Sequence, residues 1–406
     1  MTLVYDPGDP GIRRNPFPIF RRLQDEDPVH WSPALRSWIN TRYEDVRTVT
    51  TSKQMSPDRL TPFYRSMPDA TQRILSEVIR YLNLWMVFRN PPEHTRLRSL
   101  MSKAFTPRAV ESLRSNVSVL VEMLLDRLGD RREIDWIADV AGPLPALVIM
   151  DMPGVPREAV GSMKEWSDEM ALFIGSARGS VDKYERARHG AHEMAEYFCR
   201  VIAERRQSPR DDMISAMIAA RDQNQQLSED ELVGSCMLFL FAGHETTANL
   251  IGNALIQLAQ YPGEQTRLRD NPALIDTAVE EFLRFDGPSG GLTRVVGVEH
   301  AFAGRTLKAG DRVFAMLNAA NRDGRVFALP DRFDIGRSPN RHVTFGFGIH
   351  FCLGAPLARI EGRICINALL RRYRTIEFVA EPSSFEWLDA LIMRGVKALP
   401  LRLGRA

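Results

Sequence analysis

The stretch that most restricts the fold runs from about Glu229 to Tyr261. Ser228-x-x-Glu231 at its start reads as a capping box, in which side chains and backbone exchange hydrogen bonds across the first turn. Pro262-Gly263 stops it. About thirty helical residues make a rod of roughly 45 Å, long enough to cross a whole molecule. Cys236 to Ala242 is apolar all round, the pattern of a helix buried on every side. The same rod then carries Ala242-Gly243-His244-Glu245-Thr246-Thr247. Burying polar groups without partners costs roughly 2–7 kcal/mol for each neutral group, so an acid and two alcohols at this depth point to function.

A second stretch constrains the chemistry. Phe345-Gly346-Phe347-Gly348-Ile349-His350-Phe351-Cys352-Leu353-Gly354 leads into Ala355-Pro356-Leu357-Ala358-Arg359, the start of a helix. Its three glycines allow positive φ and let backbone N–H groups close around one atom. Cys352 sulfur is the candidate, because backbone donors and a helix N-terminus both favour a thiolate. One cysteine held this way suits a single axial bond to haem iron. Structural zinc asks for four close ligands, and no second Cys or suitably spaced His lies here. A buried structural cysteine in a glycine-rich turn is the plain alternative.

Phe345-Gly346-x-Gly348-x-His350-x-Cys352-x-Gly354 resembles the haem-binding signature of the cytochrome P-450 superfamily, the haem-thiolate monooxygenases. The resemblance implies a mainly α chain with the P-450 fold, a helical bundle around haem with a small β-sheet region, in one domain over residues 1–406. It implies haem b (iron protoporphyrin IX) as cofactor, with Cys352 as the axial ligand of its iron and Phe345 and Gly354 beside it. Thr246 would offer its hydroxyl on the oxygen side of the haem, and Glu245 would relay protons from solvent. A threonine inside a helix can instead bond back to the preceding turn. His244 stands where the motif is variable and is given no role.

Two propionates need cations or donors. His94 and Arg98, at i and i+4 on one helix face, resemble the family's propionate pair. Arg294 and His350 match its other two contacts. Glu281 and Arg284 resemble the family's Glu-x-x-Arg pair, completed by Arg332 as a buried ion network behind the cysteine loop. Substrate contacts expected by analogy are Leu238, Ala242, Leu292, Ile392 and Phe173, with Trp85 and Met86 beside them.

Charge and composition exclude other classes. With 53 basic and 51 acidic residues, nothing favours nucleic acid. Four scattered cysteines do not make a disulfide framework, and a reducing cytosol fits. The first twenty residues hold charges and Asp6-Pro7-Gly8-Asp9-Pro10, with no apolar targeting or spanning run, so a soluble cytoplasmic monomer without a membrane anchor is expected. No redox segment follows Ala406. Electrons from NAD(P)H are therefore expected through a ferredoxin or flavodoxin and its reductase, and Arg341, Arg359 and Arg363 could form a basic docking face.

The function implied is insertion of one oxygen atom from O2 into a small apolar or amphipathic molecule by hydroxylation or epoxidation, in secondary metabolism or catabolism. A peroxide-driven peroxygenase and a non-catalytic haem sensor are the alternatives. The intact Glu245-Thr246 pair and the absence of a signalling segment disfavour both.

Other elements follow from punctuation. A short helix opens at Asn15-Pro16-Phe17-Pro18, a hairpin spans Val29 to Thr41, and Tyr43 to Thr51 is helical. Another helix starts at Pro91-Pro92-Glu93. One long amphipathic helix should follow Thr106-Pro107, with Val110, Leu113, Val117, Leu120, Leu124 and Leu128 at helical spacing. Strands are expected at Leu292 to Val298, Val313 to Leu317 and near Leu391 to Leu403.

Overall fold

A computed structural model describes residues 3–174, 182–222 and 225–405. The chain divides into two compact units. One holds residues 1–55, 115–145 and 246–406; the other holds 56–114 and 146–245. The rod found in the sequence is a continuous helix, Glu229–Gln260, whose first half lies in the second unit and whose remainder lies in the first. Its 32 residues span about 48 Å. The capping box forms: Ser228 N–H donates to Glu231 Oε2 at 2.9 Å and Glu231 N–H to Ser228 Oγ at 3.3 Å. Pro262 ends this helix and opens the next, Pro262–Asp270, where a missing N–H costs nothing at the first turn.

The first unit contains the β structure. A five-stranded sheet has the order Val29–Ser32, Ser37–Asn40, Arg312–Ala315, Leu292–Val296, Met55–Ser56. Ser37–Asn40 pairs with Arg312–Ala315 in parallel, and Arg312–Ala315 with Leu292–Val296 antiparallel, Arg294 opposite Val313. A second sheet joins Glu133–Asp135, Pro400–Arg405 and Tyr373–Phe378. Val29, Tyr43, Val46, Val49, Val296 and Val313 form the core beneath the larger sheet, with Leu292 and Phe347 packed against it. The helices Ile275–Asp286 and Ala355–Arg372 bury apolar faces in the same unit.

The second unit is helical. Val160–Ile174 and Lys183–Gln207 pack together, and Gly190 permits the approach: a Cβ there would lie 2.4 Å from the Trp166 carbonyl oxygen. Among the described residues no helix is long and apolar enough to cross a membrane.

Four expectations are corrected. The helix after Thr106 is two, Pro107–Ser112 and Arg114–Arg127, because Leu113 N–H turns to the Val110 carbonyl three residues back. The strand from Leu292 ends at Val296, where Gly297 N–H is taken by the Gln54 carbonyl. The strand at Val313 ends at Ala315, and Leu317–Ala320 coils into a short helix. Near the C-terminus only Pro400–Arg405 is a strand; the preceding segment is held by single bridges, Ser289 to Met393 and Trp387 to Val396.

Candidate active site

Along Glu229–Gln260 burial is interrupted at one turn. Leu232 to Leu240 are buried, as are Asn249 to Leu258, but Phe241, Gly243, Glu245 and Thr246 are partly accessible and Ala242 is exposed. Accessible space therefore lies beside the turn that carries the acid and the alcohol, although the helix is otherwise core. Gly243 keeps the opposite side tight, since a Cβ there would sit 2.6 Å from Ile149 Cγ1.

Burial pushes the Glu245 carboxyl up in pKa, partly offset by the neighbouring His244 charge and reinforced by Asp168. Such an acid keeps its proton more readily than a surface glutamate. His244, given no role from sequence, is buried, and its Nδ1–H donates to the Leu240 carbonyl at 2.9 Å.

The cysteine loop lies in the first unit. Gly346 and Gly348 adopt φ of 74° and 67°, which favours glycine. Gly346 N–H donates to the Val343 carbonyl at 2.8 Å and Cys352 N–H returns to the Phe345 carbonyl at 2.8 Å, folding the loop on itself. Cys352 is exposed, and the helix Ala355–Arg372 starts just beyond it with Gly354 as cap. A Cβ on Gly354 would stand 3.9 Å from Cys352 Sγ, in the space beside the sulfur. An accessible thiol ahead of a helix N-terminus suits one axial metal bond. These residues fit haem.

Arg294 is buried on the strand Leu292–Val296, with Nη1 bonded to the Thr293 carbonyl at 3.0 Å. Leu292 Cδ1 lies 3.6 Å from a Cβ position on Gly346, and Gly290 N–H bonds the Ile392 carbonyl at 3.0 Å, so the unit brings both rim residues to the strand beside the cysteine loop. His350 closes the short 3-10 turn Gly348–His350. In the second unit His94 is buried and Arg98 lies one turn on, in the helix Glu93–Ala104. Leu238, Phe173, Trp85 and Met86 are buried; Phe173 packs on Phe63 and Tyr184, and Trp85 on Phe88 and Phe241. Ala242 is thus the expected substrate contact of this unit that is open. Sequence reasoning passed over Phe241, its half-accessible neighbour.

The ion network behind the loop differs from expectation in one member. Glu281 and Arg284 form a bidentate pair at 2.7 and 2.8 Å, both fully buried. Arg284 also donates to the carbonyls of Asn321, Pro330 and Arg332. Arg332 thus contributes its main chain while its side chain is exposed. The second guanidinium on Glu281 belongs to Arg337, with Nε 3.2 Å from Oε2. Asp334 N–H and Asn340 Nδ2 complete the shell at 3.0 and 3.1 Å. No spacing rule singles out Arg337 among 47 arginines.

Glu280, also missed, grips the cysteine helix through Arg359 at 2.6 and 2.7 Å and meets His342 at 3.0 Å. Burial works against its charge, yet these donors hold its pKa down to about 2. Two of the three arginines expected to form a docking face, Arg341, Arg359 and Arg363, are ion-paired within the chain. Arg359 is engaged by Glu280 and lies 4.6 Å from the Phe345 ring centre, and Arg363 pairs with Asp276 at 2.8 Å, so two of the three charges are already neutralised.

A mainly helical fold with an accessible thiol at a helix start, and an acid–alcohol turn opening from a buried helix, fits a haem-thiolate oxygenase. Comparison with known proteins agrees. The family profile described as Cytochrome P450 matches residues 162–399. The polyketide biosynthesis cytochrome P450 PksS of Bacillus subtilis is 35% identical over 99% of both chains, and its solved structure superposes with a TM-score of 0.89, covering 99% of this chain and 100% of that one. Vitamin D(3) 25-hydroxylase of Pseudonocardia autotrophica is 34% identical over 96% of this chain and 94% of its own. The crystal structure of P450BioI in complex with hexadec-9Z-enoic acid ligated acyl carrier protein is 34% identical, with a TM-score of 0.88 over 97% of this chain and 99% of that one. The chain belongs to the cytochrome P450 family. It is a monooxygenase with haem b as cofactor, using O2 and electrons drawn from NAD(P)H through redox partners.

Proposed function

We propose that this chain hydroxylates or epoxidises a small apolar or amphipathic organic molecule in secondary metabolism or catabolism, with residues 1–406 acting as one haem domain. Its electrons come from a ferredoxin or flavodoxin served by a reductase. The overall balance joins substrate, O2, two electrons and two protons to give oxygenated product and water. The observation that carries this reading is the accessible turn Phe241 to Thr246 within an otherwise buried helix. The polyketide, vitamin D(3) and fatty-acid-loaded acyl carrier protein contexts named for the relatives support the apolar substrate class.

Cys352 would hold the iron of haem, and His94, Arg98, Arg294 and His350 would receive its propionates. Haem supplies O2 activation when bound. The chain supplies the protons: Thr246 passes its hydroxyl proton inward and takes another from Glu245, whose pKa burial raises and which is itself reloaded from solvent. Ala242, Phe241, Leu292 and Ile392 set the shape that a substrate meets.

The test loads the protein with haem and screens compounds by spectral shift, then measures product with a surrogate ferredoxin–reductase pair and with peroxide alone. Cys352→Ala should lose the thiolate signature of the reduced carbonyl spectrum. Glu245→Gln should keep the ligand-induced shift and lose about a hundredfold in product formation. Unchanged turnover in Glu245→Gln would remove the acid from the reading, and product from peroxide alone at the full rate would make the protein a peroxygenase.

A further inference from the structure

Three polar side chains run down one face of Glu229–Gln260 beyond the accessible turn: Asn249, Asn253 and Gln257, each one turn from the next and each buried. The proton route uses none of them. Asn253 is 1% exposed, and its amide is engaged unevenly. Nδ2 donates to the Arg394 carbonyl at 3.0 Å and to the Asp286 carbonyl at 3.1 Å, while Oδ1 has no hydrogen-bond partner among the described residues. A buried acceptor left bare is a cost that a leucine would avoid. What the amide offers in return is its pair of donors, and both reach residues that anchor the chain beside the rim residue Ile392.

That segment, residues 391–395, is tied down repeatedly. The Ile392 carbonyl accepts from Gly290 N–H at 3.0 Å, Met393 bridges Ser289, and Arg394 N–H donates to the Pro288 carbonyl at 2.8 Å. The Arg394 guanidinium grips the Asp286 carboxylate at 2.6 and 2.9 Å and reaches the Arg13 and Arg14 carbonyls at 2.8 and 3.1 Å. Gly395 presses on the long helix itself, where a Cβ would overlap Asn249 Oδ1. Thr246, Asn249 and Asn253 stand at i, i+3 and i+7, on one face of that helix. The rim segment is therefore fastened to the face that carries the alcohol, about 10 Å along the rod from it. We propose that Asn253 is a positioning residue that holds Ile392 at a set distance from the Thr246 turn and so fixes the width of the space an apolar substrate enters. The inference rests on reading Ile392 as part of that rim.

The experiment uses the haem-loaded protein and two azoles that bind its iron, imidazole and the bulkier 4-phenylimidazole, each titrated by the shift of the haem absorption band. Asn253→Leu is similar in size and removes both donors. It should weaken 4-phenylimidazole about tenfold and leave imidazole within about twofold, because a wall no longer held in place costs affinity only to the ligand that touches it. Ile392→Ala should do the same. Gly395→Ala should also weaken the bulkier azole, and adding Asn249→Ala, which clears the overlap, should restore it; this pair tests the placement even if Asn253→Leu folds poorly. Both azoles weakened alike would make Asn253 a structural residue only and overturn the inference. A ratio of affinities unmoved in Ile392→Ala removes Ile392 from the rim, and the inference with it. A ratio moved by Ile392→Ala but by neither Asn253→Leu nor Gly395→Ala leaves the rim standing and overturns the inference alone.

Discussion

Two glutamates in this molecule are treated in opposite ways. Glu281 is fully enclosed and receives Arg284, Arg337, Asn340 and the Asp334 amide, so both its oxygens are saturated. Glu245 lies on a turn that stays partly accessible, and the charge next to it is a histidine whose partner is half in water. A carboxylate with every oxygen engaged is held in one geometry by its network. A carboxylate left short of compensation is poised to change, and burial shifts it towards the protonated form. The difference separates a brace from a reagent, though the residue type is the same.

The sharpest way to break the comparison is Glu281→Ala. It strands the fully buried Arg284 guanidinium and takes an acceptor from Arg337, and breaking a buried pair in this way costs about 3–5 kcal/mol. Purified Glu281→Ala should melt well below wild type and carry little haem, as read by calorimetry and the haem-to-protein absorbance ratio. A fully loaded variant melting at the wild-type temperature would show that the network is not a brace.

Glu361 extends the contrast to a third acid. It lies on the helix after Cys352, is 2% exposed, and its Oε2 has no hydrogen-bond partner among the described residues. Burial alone pushes its pKa well up. The folded value therefore exceeds the unfolded one of about 4.3. Between the two the native state binds more protons, so stability is greatest below the unfolded value. It falls as pH rises, by at most about 1.4 kcal/mol per pH unit. Glu361→Gln removes this slope. Melting temperatures of variant and wild type should diverge in favour of the variant from about pH 5 upward; parallel curves would mean that Glu361 is compensated after all.

How much of this was legible in the sequence depended on how local the cause was. The capping box, the cysteine loop glycines and Glu281–Arg284 at i, i+3 are near neighbours in the chain, and all three form. Strand ends were misread because they were decided by distant backbone groups, such as Gln54 taking the Gly297 amide. Arg359 read as a surface charge because Glu280 is 79 residues away. His244 looked incidental for the same reason, its partner Asp168 being on another helix. Leu238 and Phe173, expected as substrate contacts by analogy with the family, hold buried positions, which their apolar character suits equally.

The smallest effect sharpens the brace to one atom group. Arg332 and Arg337 both touch the Glu281 network, the first by its carbonyl and the second by its guanidinium. Removing the Arg332 side chain takes away only exposed atoms, so Arg332→Ala should change stability by no more than about 0.5 kcal/mol. Arg337→Ala removes a donor to Glu281 and to the Ala328, Leu329 and Arg332 carbonyls. Losing hydrogen bonds to a charged acceptor costs about 1.5–3 kcal/mol. Urea unfolding of the two variants side by side should rank Arg337→Ala clearly below Arg332→Ala. Equal midpoints would mean that Arg284 alone compensates Glu281, and the reverse order would return the third place in the network to the Arg332 side chain.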